Sequence, residues 1–140
     1  MTMDNHQTDA FFAEYIERLL SGNKATRYLD NALSACGVGL MPLIDHCAIR
    51  TLDVDMRAED ILQLGFSQDQ TLGTLEFDNW WAKVYRKPGY PSLFVDQAFE
   101  GERGEPSLIP DWVRTHGDQF FHHIAVLVED IEYAIDKMKA

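Results

Sequence analysis

The residues with chemical capability gather in two short stretches. LIDHCAIRT, residues 43 to 51, carries His46 and Arg50, and FFHHIAVLV, residues 120 to 128, carries His122 and His123. Laid on one another, His46 meets His123, Ala48 meets Ala125 and Ile49 meets Val126; Asp53 then meets Asp130. A pattern written twice predicts two copies of one supersecondary unit. Each copy would bring one histidine to a shared site.

Side chains alternate along a strand. In the first stretch Ile44, His46, Ala48 and Arg50 then share a face. In the second, His123, Ala125 and Leu127 share the corresponding face, and His122, Ile124, Val126 and Val128 take the packing side. The alanine beside each histidine leaves room for a ligand above the sheet. Two neutral imidazoles from paired strands make a start on a transition-metal site, of the type in which two histidines and a carboxylate leave positions open. Arg50 lies about 7 Å along the strand from His46. At that distance a guanidinium can clamp a carboxylate whose other end reaches the metal. His46 and His123 are the expected ligands, and Arg50 is the expected substrate clamp and catalytic residue. The competing readings are a hydrogen-bonded core histidine and an arginine paired with Asp45, Asp53 or a carboxylate elsewhere. A register slip of one residue would exchange His123 for His122.

A third ligand should be a carboxylate. Asp96 and Glu100, with Gln97 as a neutral substitute, are the candidates near a strand end of the first unit. None has a persuasive context, so the third ligand is expected beyond Ala140. Trp80, Trp81 and Tyr85 read as core and sheet cover, one of them able to wall the pocket; Tyr85 is the substrate-side candidate. Cys47 alternates away from His46 and reads as packing. His6 and His116 lie in irregular segments and read as solvated. No glycine-rich phosphate loop, CxxC or GxSxG motif is present, so nucleotide or acyl-enzyme chemistry has no support.

The elements that must hold these residues follow from periodicity. Residues 9–20 and 24–36 each carry an apolar helical stripe, separated by Ser21-Gly22-Asn23, and predict a helical hairpin. Residues 43–51 predict a strand, 53–64 a helix closed by Gly65, and 66–78 one further strand. Residues 80–86 and 92–99 predict two strands joined through Pro88-Gly89-Tyr90-Pro91. The class is α+β. Its parts are a helical extension over 1–40, a β-α-β-β-β module over 41–100, a linker over 101–118 with a helical turn near Trp112, and a second β-α start over 119–140. Three strands of the second module are missing. The expectation is an N-terminal portion of a longer protein, or a sheet completed by another chain, as in a homodimer.

A chain of 140 residues with 46% apolar residues can bury a core. Its net charge of −11 argues against nucleic-acid or anionic-membrane partners. There is no apolar run long enough to span a bilayer, and the acidic start lacks the marks of a secretory signal. Two cysteines give no disulfide framework. A cytoplasmic protein with a small carboxylate substrate is the expectation.

The strands DHCAIRT and HHIAVLVEDIEYAI resemble those of the vicinal oxygen chelate superfamily, which includes glyoxalases and extradiol dioxygenases. The resemblance covers residues 43–140. It implies two β-α-β-β-β modules around one divalent metal. The helical extension and the spacing His46-x-x-x-Arg50-Thr51 resemble more narrowly the DUF1338-type family of 2-oxoadipate dioxygenase/decarboxylases (hydroxyglutarate synthases). That resemblance implies Fe(II) on His46 and His123, a glutamate ligand beyond Ala140, Arg50 on the substrate carboxylate, and oxidative decarboxylation of a 2-oxo acid. The alternatives on the same scaffold are an isomerase, an epimerase or an extradiol dioxygenase. From another class comes a metal-free small-molecule-binding module.

Overall fold

The structure is a computed structural model, and it describes residues 5–139. Two helices come first, α1 (Asn5–Gly22) and α2 (Lys24–Ala35). Asn23 ends one and starts the other, because its side chain accepts the Thr26 N–H at the N-terminus of α2. Gly37, at φ +74°, closes α2 with Val38 N–H donating back to the Leu33 carbonyl. The apolar stripe of α1 works as expected, with Phe12, Tyr15 and Leu19 buried. By contrast α2 buries no residue completely and leans on the core through Leu29 and Leu33.

The expected β-α-β-β-β module follows with one strand more: β1 (Ile44–Arg50), α3 (Val54–Gln63), β2 (Ser67–Gln68), β3 (Thr74–Glu76), β4 (Trp80–Arg86) and β5 (Ser92–Ala98). The single strand expected over 66–78 is instead two short ones, both antiparallel to β4. Asp69 causes the break, since its carboxylate accepts the Thr71 and Leu72 N–H groups and curls the chain into a turn. Between Gly101 and His116, where one helical turn was expected, there is a 3-10 turn (Gly101–Gly104) and a two-turn helix, α4 (Ile109–His116). The chain then forms β6 (Phe121–Val126) and α5 (Ile131–Met138). Asp53 and Asp130, matched in the repeat, do the same job: each caps the following helix, accepting the N–H of Met56 and of Tyr133.

The sheet is mixed, in the order β2-β4-β5-β1-β6, with β3 also on β4. One face carries the core. Cys47 and Ile49 of β1, Leu93 and Val95 of β5, Tyr85 of β4 and Phe121 of β6 meet α1 and the Val54-Ala58-Ile61 stripe of α3. Phe121 has no solvent exposure and touches the rings of Phe11, Phe12 and Tyr15. Burial of such a ring stabilises by roughly 1.5–3 kcal/mol. Two charged side chains brace this layer. Lys87 donates to Thr8 Oγ1 and the Leu64 carbonyl, and Arg57 pairs with Asp60 and Asp118. The opposite face presents His46, Ala48, Phe94 and Asp96, and here the candidate site lies.

Candidate functional site

β1 and β6 run antiparallel, with His46 opposite Ala125 and His123 opposite Ala48. The two repeat copies are thus related by a local two-fold between the strands. Each histidine sits beside the other strand's alanine, and that small neighbour clears the space above it. The imidazole centres are 6.0 Å apart with planes nearly perpendicular. A metal at about 2.1 Å from each ligating nitrogen stands roughly 3.2 Å from each ring centre, so two rings on one ion have centres no more than about 6.4 Å apart. The pair fits that limit. His46 Nδ1 lies 2.9 Å from Asp45 Oδ2, and His123 Nδ1 lies 2.9 Å from His122 Nδ1. With Nδ1 engaged, each ring has Nε2 left as the donor, in the way carboxylates orient metal-binding imidazoles. Burial, followed by the charges of His46 and Arg50, lowers the pKa of His123, which favours the neutral, ligating form. Among the described residues no third His, Cys, Asp or Glu joins the pair to make a three-donor group. The histidines therefore fit two positions of a metal's shell.

Beside His123 opens a cavity of about 310 Å³. Arg50, Asp96, His122 and His123 supply its polar groups; Trp80 and the segment from Pro106 to Ile109 form much of its wall. His46 stands just outside it, its ring 4.8 Å from that of Phe94. The wall segment is held by a close packing at Gly104, where a side chain would put its Cβ 1.6 Å from the Phe99 carbonyl oxygen. Arg103 adds to the fastening, lying over the Phe99 ring and donating to the carbonyls of Phe77 and Asp78.

Arg50 enters this cavity half-buried, with its guanidinium 5.7 Å from the Trp112 ring centre. Burial lowers its pKa, and Asp96 works the other way. Asp96 is its register partner on β5, yet the two form no salt bridge: the arginine leans towards Trp112. Asp96 is 5% exposed, and its Oδ1 has no hydrogen-bond partner among the described residues. Burial pushes its carboxyl up to about 7 against the pull of Arg50. Asp96, with its unsatisfied carboxyl oxygen, and Arg50, which forms no salt bridge among the described residues, thus line one cavity.

Three expectations need correction. His122 does not take the packing face. The β1–β6 register shifts between Ala48 and Ile49, so that Phe121 pairs with Ile49 while His123 pairs with Ala48. The extra residue, His122, is thrown to the site side, as bulges do. It lines the cavity, and burial with the charges of Arg50, His123 and His116 pushes its pKa down to about 4. A second irregularity between Ile44 and His46 turns Ile44 into the core, off the histidine face. Tyr85 is 3% exposed and belongs to the core layer on the helix side, so it cannot reach a substrate in this cavity. Of the aromatic trio, Trp80 is the one that lines the site. His116 stacks on Trp112, with ring centres 4.7 Å apart. Trp112 and Asp96 were undervalued in the sequence, because only the observed register brings them to Arg50.

No family model matches this chain, and no curated protein does. It is similar in structure to a crystal structure of a "putative hydrolase" from Shewanella frigidimarina NCIMB 400, with a TM-score of 0.76 at 16% identity, over 99% of this chain and 73% of that one. That likeness concerns the fold. Among the described residues no helix is long and apolar enough to cross a membrane.

Proposed function

We propose that this chain acts on a small 2-oxo acid at a metal held by His46 and His123, as an Fe(II)-dependent dioxygenase/decarboxylase. The observation that carries the reading is the reciprocal placement of the two histidines, each with Nδ1 engaged, beside an arginine that forms no salt bridge among the described residues. The overall reaction would convert a 2-oxo acid and O₂ into CO₂ and a hydroxy acid one carbon shorter. The metal, when bound, would polarise the 2-oxo carboxylate and relay to O₂ the electrons that the substrate gives up as it is decarboxylated and hydroxylated.

The protein's own residues do the rest. His46 and His123 would hold the metal through Nε2. Asp45 and His122 fix the ring orientations through Nδ1. Arg50 binds a carboxylate and, with its guanidinium over the Trp112 ring, sets the substrate's direction along β1. Trp80 and Leu108 form apolar parts of the cavity wall. Low dielectric in such a pocket strengthens the Arg50–carboxylate attraction.

A second reading is a metal-free module that binds small carboxylates. It is favoured by the lack of a third donor among the described residues. Anaerobic Fe(II) titration by calorimetry separates the two. One-to-one binding by the wild type that is lost in both His46→Ala and His123→Ala supports the metal reading, and CO₂ release from 2-oxoadipate under O₂ is then the next assay. Carboxylate binding with no metal binding supports the module.

A further inference from the structure

We propose that Asp96 and Arg50 together hold one carboxylate of the substrate, the guanidinium taking one oxygen and the protonated Asp96 donating its hydroxyl to the other. This deepens the reading above and rests on it only for the choice of cavity.

The geometry carries the argument. Arg50 and Asp96 are register partners on adjacent central strands, both on the open face. Were Asp96 only a structural counter-ion, the two would be expected to close a salt bridge, since an unpaired buried carboxyl is costly. Instead the arginine lies on Trp112 and Asp96 Oδ1 stays unsatisfied. Unsatisfied buried oxygens are uncommon and call for a missing partner. Both residues line the same cavity. A carboxylate placed there would take a charge-assisted bond from Arg50. Its second oxygen needs a donor, and Asp96 can be one only as the acid. The groups facing Asp96 around the cavity are Arg50 from β1 and His122 and His123 from β6. Asn79 just before β4, Trp80 at its start, and the residues from Pro106 to Ile109 are uncharged. Burial already favours the acid form, and a ligand anion would favour it further. The acid therefore both tolerates the incoming charge and bonds it. An ionised Asp96 would repel it.

The test uses glutarate as probe, without metal, because it has carboxylates but no 2-oxo group to chelate. Binding is followed by calorimetry and by the His122 and His123 resonances, for wild type, Asp96→Asn, Asp96→Ala and Arg50→Met, with circular dichroism as the fold check. The wild type is expected to bind at pH 6 and to weaken towards tenfold per pH unit above about 7. Asp96→Asn keeps a donor and should stay within about threefold of wild type at pH 6, with little loss by pH 8. Asp96→Ala should bind about tenfold more weakly, the effect of one lost hydrogen bond to a charged group, and Arg50→Met more weakly still. Wild-type affinity in Asp96→Ala would remove Asp96 from the site. Asp96→Asn as weak as Asp96→Ala would mean an ionised acceptor, and would overturn the proposal. No glutarate binding by wild type would overturn it too, while the Fe(II) titration judges the metal reading separately.

Discussion

Asp96→Asn should remove a fall in stability between pH 5 and pH 8 that the wild type shows. Asp96 has an ordinary value of 3.8 when exposed and is pushed up to about 7 in the folded chain, chiefly by burial. The folded state therefore binds a proton that the unfolded state has released, and stability falls as pH rises between those values. At about 1.36 kcal/mol per pH unit, the whole interval comes to about 4 kcal/mol. The contribution is complete below 3.8 and gone above about 7. Between pH 5 and pH 8 the wild type should lose about 2–3 kcal/mol from this group. Asparagine has similar shape and no charge, so the variant should not lose it. His122 opposes this slope, because its folded pKa is depressed to about 4; its stability is present above 6.5 and lost as pH falls through about 4. It is shared by both proteins and cancels in their difference. Urea denaturation at pH 5, 6, 7 and 8 reads that difference directly. With a slope of roughly 2 kcal/mol/M for a chain of this size, the variant's midpoint should gain about 1 M on the wild type from pH 5 to pH 8. A constant difference across that range would show that Asp96 does not titrate near 7 in the fold, and the account of its burial would fall.

The remaining expectations concern particular contacts. Gly104→Ala places a methyl on the Phe99 carbonyl; because that neighbour is backbone, the loop must move, and thermal unfolding should show a loss of about 2 kcal/mol or more together with weakened glutarate binding. Arg57→Ala leaves Asp118 without its guanidinium while Thr51 still bonds it; a loss of about 2–3 kcal/mol in urea unfolding is expected. Cys47 is fully buried with its thiol pushed up to about 12 by burial, and Cys36 is exposed, so a thiol reagent at pH 8 should titrate one cysteine in the folded chain and two in urea. Co(II) added to the chain should give a histidine-dependent visible spectrum, absent in His46→Ala and in His123→Ala.

What was legible in the sequence was whatever strand alternation and capping chemistry dictate locally. His46, Ala48 and Arg50 take the expected face because β1 is regular from His46 onwards, and Asp53 and Asp130 cap helices because a short carboxylate before an amphipathic run has little else to do. The failures all come from irregularity or from partners distant in sequence. His122 was sent to the wrong face by a single shift of register, which no pattern of period two can announce. The shift has a cause visible only in three dimensions: Phe121 is drawn into the aromatic cluster of α1, while His123 keeps its place opposite Ala48. Both demands can be met only if the residue between them is squeezed out. Tyr85 failed for a related reason, since β4 is exposed to helices on one side alone and its aromatic residues divide between the two faces. Asp96 looked like a poor ligand and was valued accordingly. Its importance rests on an arginine more than forty positions away that leans towards a tryptophan instead of towards it. A polar residue's role depends on which of its possible partners is taken elsewhere, and that competition is settled by the assembled sheet.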